Sequence, residues 1–317
     1  MAATWKFFRY NAMDSVLIVG GLAHVACVFA SFAFFREMPW WLIGAAWVVQ
    51  AWFICWNLQC VSHNFIHNPF FQSALLNRVF AVLETFAIGI PHMIYHHYHL
   101  NHHFGDNDMK GPDGSTKDWS SIYRYSKTER AENFIKYIFV GFFRAELTPA
   151  WEVIKKHGPK HVGQLVAETV ALFAMWGAML WYDWQVFLGF YLTSFYFGWV
   201  LSYAEGYFEH YGCQPGNPFA NSVSSYHRLY NLLWFNNGYH QEHHWDPKCH
   251  WTRMHDLHEE IKPAMEANGT RMLKGPHMTI FFEEWLDQPG HPASRPRSIG
   301  AEEADTIDQP KPMEKAA

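Results

Sequence analysis

The chain has little sulfur with which to hold a metal. Its five cysteines, Cys27, Cys55, Cys60, Cys213 and Cys249, are odd in number and form no CxxC pair. That excludes a disulfide framework and leaves no thiolate cluster for zinc, rubredoxin-type iron or iron–sulfur. Charge is also scarce. Charged residues make up 17% of the 317 residues, against about a quarter in an ordinary soluble domain. The net charge of -5 offers no basic surface for nucleic acid. There is no GxGxxG fingerprint for a dinucleotide and no fused haem domain in view.

What the chain does have is apolar length. Half of it is hydrophobic and 18% is aromatic. Four runs, 15–35, 40–60, 165–182 and 184–204, reach the roughly 20 residues that cross a bilayer. A large soluble helical protein is the alternative, and a mean hydropathy of -0.17 favours it slightly. A long polar middle and a polar tail dilute that average, however. Charge placement favours the membrane. Arg36 is the only basic residue in the two tight connections, 36–39 and 183. The other Lys and Arg residues precede the first run, follow the second or follow the fourth. The positive-inside rule then places both termini and the segment 61–163 in the cytoplasm. Trp40, Trp41, Trp181 and Trp184 flank the short connections, as an interfacial belt does. The first run lacks a small-residue cleavage site and reads as an anchor.

The expected fold is an all-α membrane protein with four transmembrane helices in two hairpins. A cytoplasmic helical cap, 61–163 and 205–286, completes one domain over 1–286. Within the cap, 71–90 and 128–147 read as helices lying on it or at the membrane surface. Arg78 and Glu84 argue against 71–90 as a span. From 287 to 317 the chain is rich in Pro, Glu and Ala and reads as a disordered tail.

Twenty-one histidines stand out, and they sort into boxes. His63-Asn64-Phe65-Ile66-His67 follows the second run. His99-Leu100-Asn101-His102-His103 lies in the middle segment. His240-Gln241-Glu242-His243-His244 follows the fourth run, and Glu209-His210 sits at that run's wet end. On a helix, residues four apart share a face, so each box can aim imidazoles at a metal without bending the backbone. Nine imidazoles result: His63, His67, His99, His102, His103, His210, His240, His243 and His244. That is too many for one ion and suits two. Glu205 and Glu209 can orient ligand histidines from behind. His96 and His97 read as surplus to their box, with supporting or surface roles. His24 reads as a packing residue and His227 as ambiguous. His157, His161, His250, His255 and His258 read as surface residues.

The boxes, in the order HxxxH, HxxHH, HxxHH, resemble those of the integral-membrane di-iron superfamily of fatty acid desaturases, hydroxylases and alkane monooxygenases. "DGSTKDWSSIYRY" (113–125), "YFEHYG" (207–212) and "HRLYNLLWFNNGYHQEHH" (227–244) also resemble the alkane monooxygenase pattern. The likeness covers roughly 40–260. Box two has desaturase spacing, one residue shorter than in alkane monooxygenases. Four spans likewise suit a desaturase, and Asn64 stands where many relatives carry an acid. The resemblance implies two iron ions on the nine histidines, dioxygen as co-substrate, and attack on an unactivated C–H bond of a lipid chain. Fatty acid desaturation is the preferred outcome. Hydroxylation of a fatty acid or alkane, or oxidative decarboxylation to a terminal alkene, is the alternative. It also implies a separate electron donor such as ferredoxin, rubredoxin or cytochrome b5. Trp52, Trp56, Phe195, Tyr196 and Trp199 are candidates to line a substrate tunnel, though ordinary helix packing is the favoured role residue by residue.

Two other classes compete. A membrane metal transporter would carry histidine and carboxylate along its spans, yet these runs hold only His24 and Glu168. A di-zinc hydrolase would use the same imidazoles, and iron content with oxygen demand separates it.

Overall fold

The computed structural model describes residues 7–282; the tail read as disordered lies outside them. Helix α1 (Asp14–Ala33) is mostly apolar after its first two residues. Its first residue is fully buried, and the Asp14 carboxylate accepts from His250 Nε2 at 2.9 Å and Trp251 Nε1 at 3.1 Å. Helix α2 (Trp40–His67) starts after Pro39, which cannot extend a helix backwards. It runs unbroken into the first histidine box through a π-helical turn, Asn57–Ser62.

Helices α3 (Ala74–Ile88) and α4 (His92–Gly105) meet at 89°. Gly89 (φ 70°) supplies the left-handed residue that ends α3, and Pro91 opens α4. Two short helices follow, α5 (Phe134–Val140) and α6 (Leu147–Lys156). The expected helix over 128–147 is thus limited to α5 and a 3₁₀ turn, Gly141–Arg144.

Helices α7 (Pro159–Val186) and α8 (Leu192–His210) join in a stretch broken at Asp183, which is extended (φ -154°, ψ 92°). Across the break Trp176 Nε1 donates to Tyr191 Oη at 3.3 Å. Val28, Phe32, Met175, Met179 and Phe190 fill the space between α1 and this pair. Arg36 binds Asp183 at 2.7 Å, so the two tight connections lie side by side.

Among the described residues, three helical stretches are long and apolar enough to cross a membrane: Asp14–Ala33, Trp40–His67 and Pro159–His210. The bent α3–α4 pair would make a fourth. Their outward faces stay apolar; Trp40 is 84% and Trp181 89% exposed, which a lipid environment would cover. The remaining elements are α9 (Arg228–Leu233), α10 (His240–Trp245) and α11 (Met254–Ala267). The all-α expectation has one exception. Strands β1 (Val223–Ser225) and β2 (Arg271–Leu273) pair in parallel and tie the far end of the described chain to the site.

Helices α2 and α8 approach closely at Gly198. A Cβ there would lie 2.6 Å from Ile54 Cβ and 2.9 Å from the Ala51 carbonyl oxygen, so the two backbones meet through the missing side chain. Gly198→Val is expected to force them apart at a cost of about 1–3 kcal/mol. Thermal unfolding in detergent should register this as a lowered midpoint.

Candidate metal centre

The three boxes are helical, and helix geometry sorts their histidines into two sets. In α4, His99 and His103 are four apart and share a face, while His102 is rotated about 100° from His103. In α10 the four-apart pair is His240 and His244, with His243 on the flank. His63 and His67 share a face at the end of α2. The result is one group of five, His63, His67, His99, His103 and His243, and one of four, His102, His210, His240 and His244. In each group one nitrogen per ring lies within 4.8 Å of all the others. Boxes two and three therefore each serve both groups. Consecutive residues bring the groups together, and the His103 and His244 rings are 4.5 Å apart.

The close nitrogen pairs fit metal ligation. In the group of five, His63 and His243 Nε2 are 2.6 Å apart, His67 and His99 2.7 Å, His103 and His243 3.0 Å, and His99 and His103 3.1 Å. In the group of four, His102 and His210 Nε2 are 2.9 Å apart and His210 and His240 3.2 Å. Metal–nitrogen bonds of about 2.1 Å place adjacent ligand atoms about 3.0 Å apart. A ring of mutually facing imidazole lone pairs needs a cation to hold it. His244 Nε2 is buried with no hydrogen-bond partner among the described residues, as a nitrogen directed at an ion would be.

Three rings of the group of four are held from behind. His102 Nδ1 meets Asp118 Oδ2 at 2.7 Å, His244 Nδ1 meets Asp106 Oδ1 at 3.0 Å, and His210 Nδ1 meets the Asn221 carbonyl at 3.2 Å. Glu209 Oε1 lies 3.6 Å from His240 Nδ1, beyond hydrogen-bond distance, and that nitrogen has no hydrogen-bond partner among the described residues. Anchoring Nδ1–H leaves Nε2 as the free lone pair and fixes the ring plane. Asp118 is fully buried and also accepts from the backbone N–H groups of Asn107 and Ser120. Burial would lift its pKa, but His102 and these donors outweigh burial and hold it below the usual carboxylate value. Burial alone would depress His102, and Asp118 reverses this and raises it. His240, His243 and His244 lie well below the ordinary imidazole value through burial, so they stay neutral with a lone pair to give. Burial pushes Asp106 up to about 6.

Gly105 permits the approach of the Asp118 loop. A Cβ at Gly105 would sit 2.3 Å from Asp118 N. Asp106 and Asn107 then turn left-handed (φ 51° and 52°) to reverse the chain.

Glu205 and Glu209 stand behind His240 but share another partner. His277 Nδ1 is 3.4 Å from Glu205 Oε1 and 3.9 Å from Glu209 Oε1. Tyr230 donates to Glu205, and Asn237 Nδ2 donates to Glu209 at 2.7 Å. His277 arrives just beyond strand β2; its isolated position gave the sequence no signal.

Two surface assignments are corrected. His258 is buried and binds Glu242 at 2.6 Å, where Ser224 and Tyr226 also donate; α11 packs its apolar side, Leu257 and Ile261, inward and carries His258 with it. His250 is largely covered by its contact with Asp14. Of the surplus pair, His97 is buried against the His157 and His161 rings. His157 and His255 are exposed. His227 caps α9, accepting from Tyr230 N at 3.2 Å. His24 packs against Phe53 as a core residue. Among the aromatic candidates, Trp199 packs near Tyr95, whose ring lies 5.9 Å from that of His99.

The family model for fatty acid desaturase matches residues 39–276, well over half of the chain. A sphingolipid delta(4)-desaturase-like protein of Arabidopsis thaliana is 27% identical over 213 residues, 65% of this chain. A sphingolipid delta(4)-desaturase of Gallus gallus is 28% identical over 245 residues, 74% of this chain. A sphingolipid delta(4)-desaturase/C4-monooxygenase of Rattus norvegicus is 27% identical over 243 residues, 66% of this chain. The chain spans 60% of the length of the first relative and 69% of the other two. The family match covers all three boxes and both histidine groups, and the chain belongs to the fatty acid desaturase family.

Proposed function

We propose that this protein is a membrane oxidoreductase that desaturates a lipid chain, with the long-chain base of a sphingolipid as the favoured substrate class. The observation that carries this reading is the pair of five- and four-histidine groups inside the desaturase match. The relatives' names move the substrate from a free fatty acid toward a sphingolipid. The nine histidines would hold two iron ions, which supply the activation of dioxygen needed to break an unactivated C–H bond. This chain's own work is to fix the nine nitrogens, hold the outer nitrogens of His102, His244 and His210 with Asp118, Asp106 and the Asn221 carbonyl, and keep water away from the reacting carbon. Trp199 and Tyr95 would guide the alkyl chain toward His99.

Four spans in two hairpins, α1 with α2 and α7 with α8, would suit this reading. The paired tight connections, joined by Arg36 and Asp183, would lie on one side, and box one at the far end of α2, with His210 at the far end of α8, would lie on the other. The α3–α4 pair, with Arg78, Glu84 and box two, would lie at the surface of a cytoplasmic cap. Electrons would come from a separate donor docking there.

Hydroxylation at the same carbon is the second reading, favoured by the relative named for both outcomes. Membranes containing the protein should be offered a saturated N-acyl sphingoid base and, in parallel, a free fatty acid under ¹⁸O₂. Loss of two hydrogens from the sphingoid base without ¹⁸O uptake is expected by mass spectrometry. An ¹⁸O-labelled alcohol as sole product favours the second reading. Turnover that persists without oxygen refutes both.

A further inference from the structure

A second histidine-rich region lies on the opposite side of α4. His97 is two residues from His99, so it is turned about 200° away from the metal-facing rings. It packs on His157 and His161, at the junction of α6 and α7. Here a cavity of about 400 Å³ opens, lined by Arg78, Met93, His157, Lys160, His161 and Gln164.

The walls of this cavity are tied together. Gln164 Nε2 donates to the Arg78 carbonyl at 3.1 Å and to Glu168 Oε1 at 2.8 Å, and Met93 N donates to Glu168 Oε2 at 2.7 Å. Glu168 thus has both carboxylate oxygens engaged. Arg78 and Lys160 form no ion pair among the described residues and line the opening. The α7 amino end, starting at Pro159, adds its positive dipole to the same rim.

Apolar surface adjoins this rim on the same two helices. Leu75 and Val79 flank Arg78 on α3, and Val166 and Val170 follow Lys160 on α7; all four are exposed. A cationic pocket bordered by apolar helix faces matches an amphiphile with an anionic head. We infer that this pocket binds the phosphate head group of an anionic membrane phospholipid, with its acyl chains lying along α3 and α7.

The test is native mass spectrometry of the full chain in neutral detergent, with phosphatidylglycerol or phosphatidylcholine added. The wild type should retain phosphatidylglycerol in preference. Arg78→Gln with Lys160→Gln should weaken that retention roughly thirty-fold, equivalent to about 1 kcal/mol for each basic residue. Both side chains are exposed, so the variant should keep its elution profile and unfolding midpoint. Arg78→Lys should keep the preference if the variant with both changes loses structure. Inorganic phosphate at millimolar levels should leave the lipid adduct in place. Full displacement by phosphate would reassign the pocket to a soluble anion. Equal retention of the two lipids by the wild type, or unchanged retention by a folded variant, would overturn the inference.

Discussion

Replacing His102 with alanine is expected to empty one metal position and end turnover. His102 is the flanking histidine of box two and gives its Nε2 to the group of four, 2.9 Å from His210 Nε2. Its loss leaves three nitrogens there. It also removes one hydrogen bond from the fully buried Asp118 carboxylate, which keeps its donors from Asn107 and Ser120. A hydrogen bond to a charged group contributes about 1.5–3 kcal/mol, so the loop carrying Asp118 should loosen as well. Metal content per chain, by elemental analysis, should fall from about two ions to about one or fewer. Product should fall to background. A variant with full metal content and full turnover would show that the four-histidine group is not a ligand set.

Asp118→Asn is the second large effect, and it leaves all nine candidate ligands in place. Asp118 accepts on both oxygens: Oδ2 from His102 and Asn107 N, Oδ1 from Ser120 N and Oγ. An amide has one accepting end and one donating end. Whichever way it is turned, two donors face an NH₂ group. If the amide NH₂ faces His102, Nδ1 must become the acceptor. The proton then moves to Nε2, the nitrogen needed inside the site. Loss of such supporting contacts typically costs about 10–100-fold in metal affinity or activity, and that range is expected here. Metal titration should show one position weakened. Restoring turnover with excess Fe²⁺ would separate this ligand effect from general unfolding. Unchanged affinity would mean that His102 is oriented by other contacts.

The legible part of this site was local. His63 and His67, His99 and His103, and His240 and His244 can be read as sharing faces because four residues make about one helical turn. His210 was readable because it ends an apolar run. The division into five and four was not readable. His102 and His243 depart from their neighbours by one helical step, and only the approach of α4 to α10 shows which group each joins. Asp118, Asp106 and His277 were hidden for another reason. They come from loops whose paths depend on Gly105, on left-handed Asp106 and Asn107, and on the β1–β2 pair. Spacing says nothing about such contacts. The apolar runs, by contrast, predicted α1, α2 and the stretch broken at Asp183, because long runs of one character leave few alternatives.

The π-helical turn at Asn57–Ser62 separates two tasks within one helix. Before it, Ala51 and Ile54 are locked against Gly198; after it, His63 and His67 must face α4 and α10. A uniform α-helix would fix the second orientation by the first, in steps of about 100° per residue. The wider turn works as a phase adjuster. It lets the intramembrane half keep its seam while the histidines take their own bearing. Shortening 57–62 by one residue would leave the Gly198 contact intact and swing His63 and His67 off axis together. The packing of the apolar half of α2 is thereby uncoupled from the bearing of the candidate metal centre, provided that this turn keeps its length.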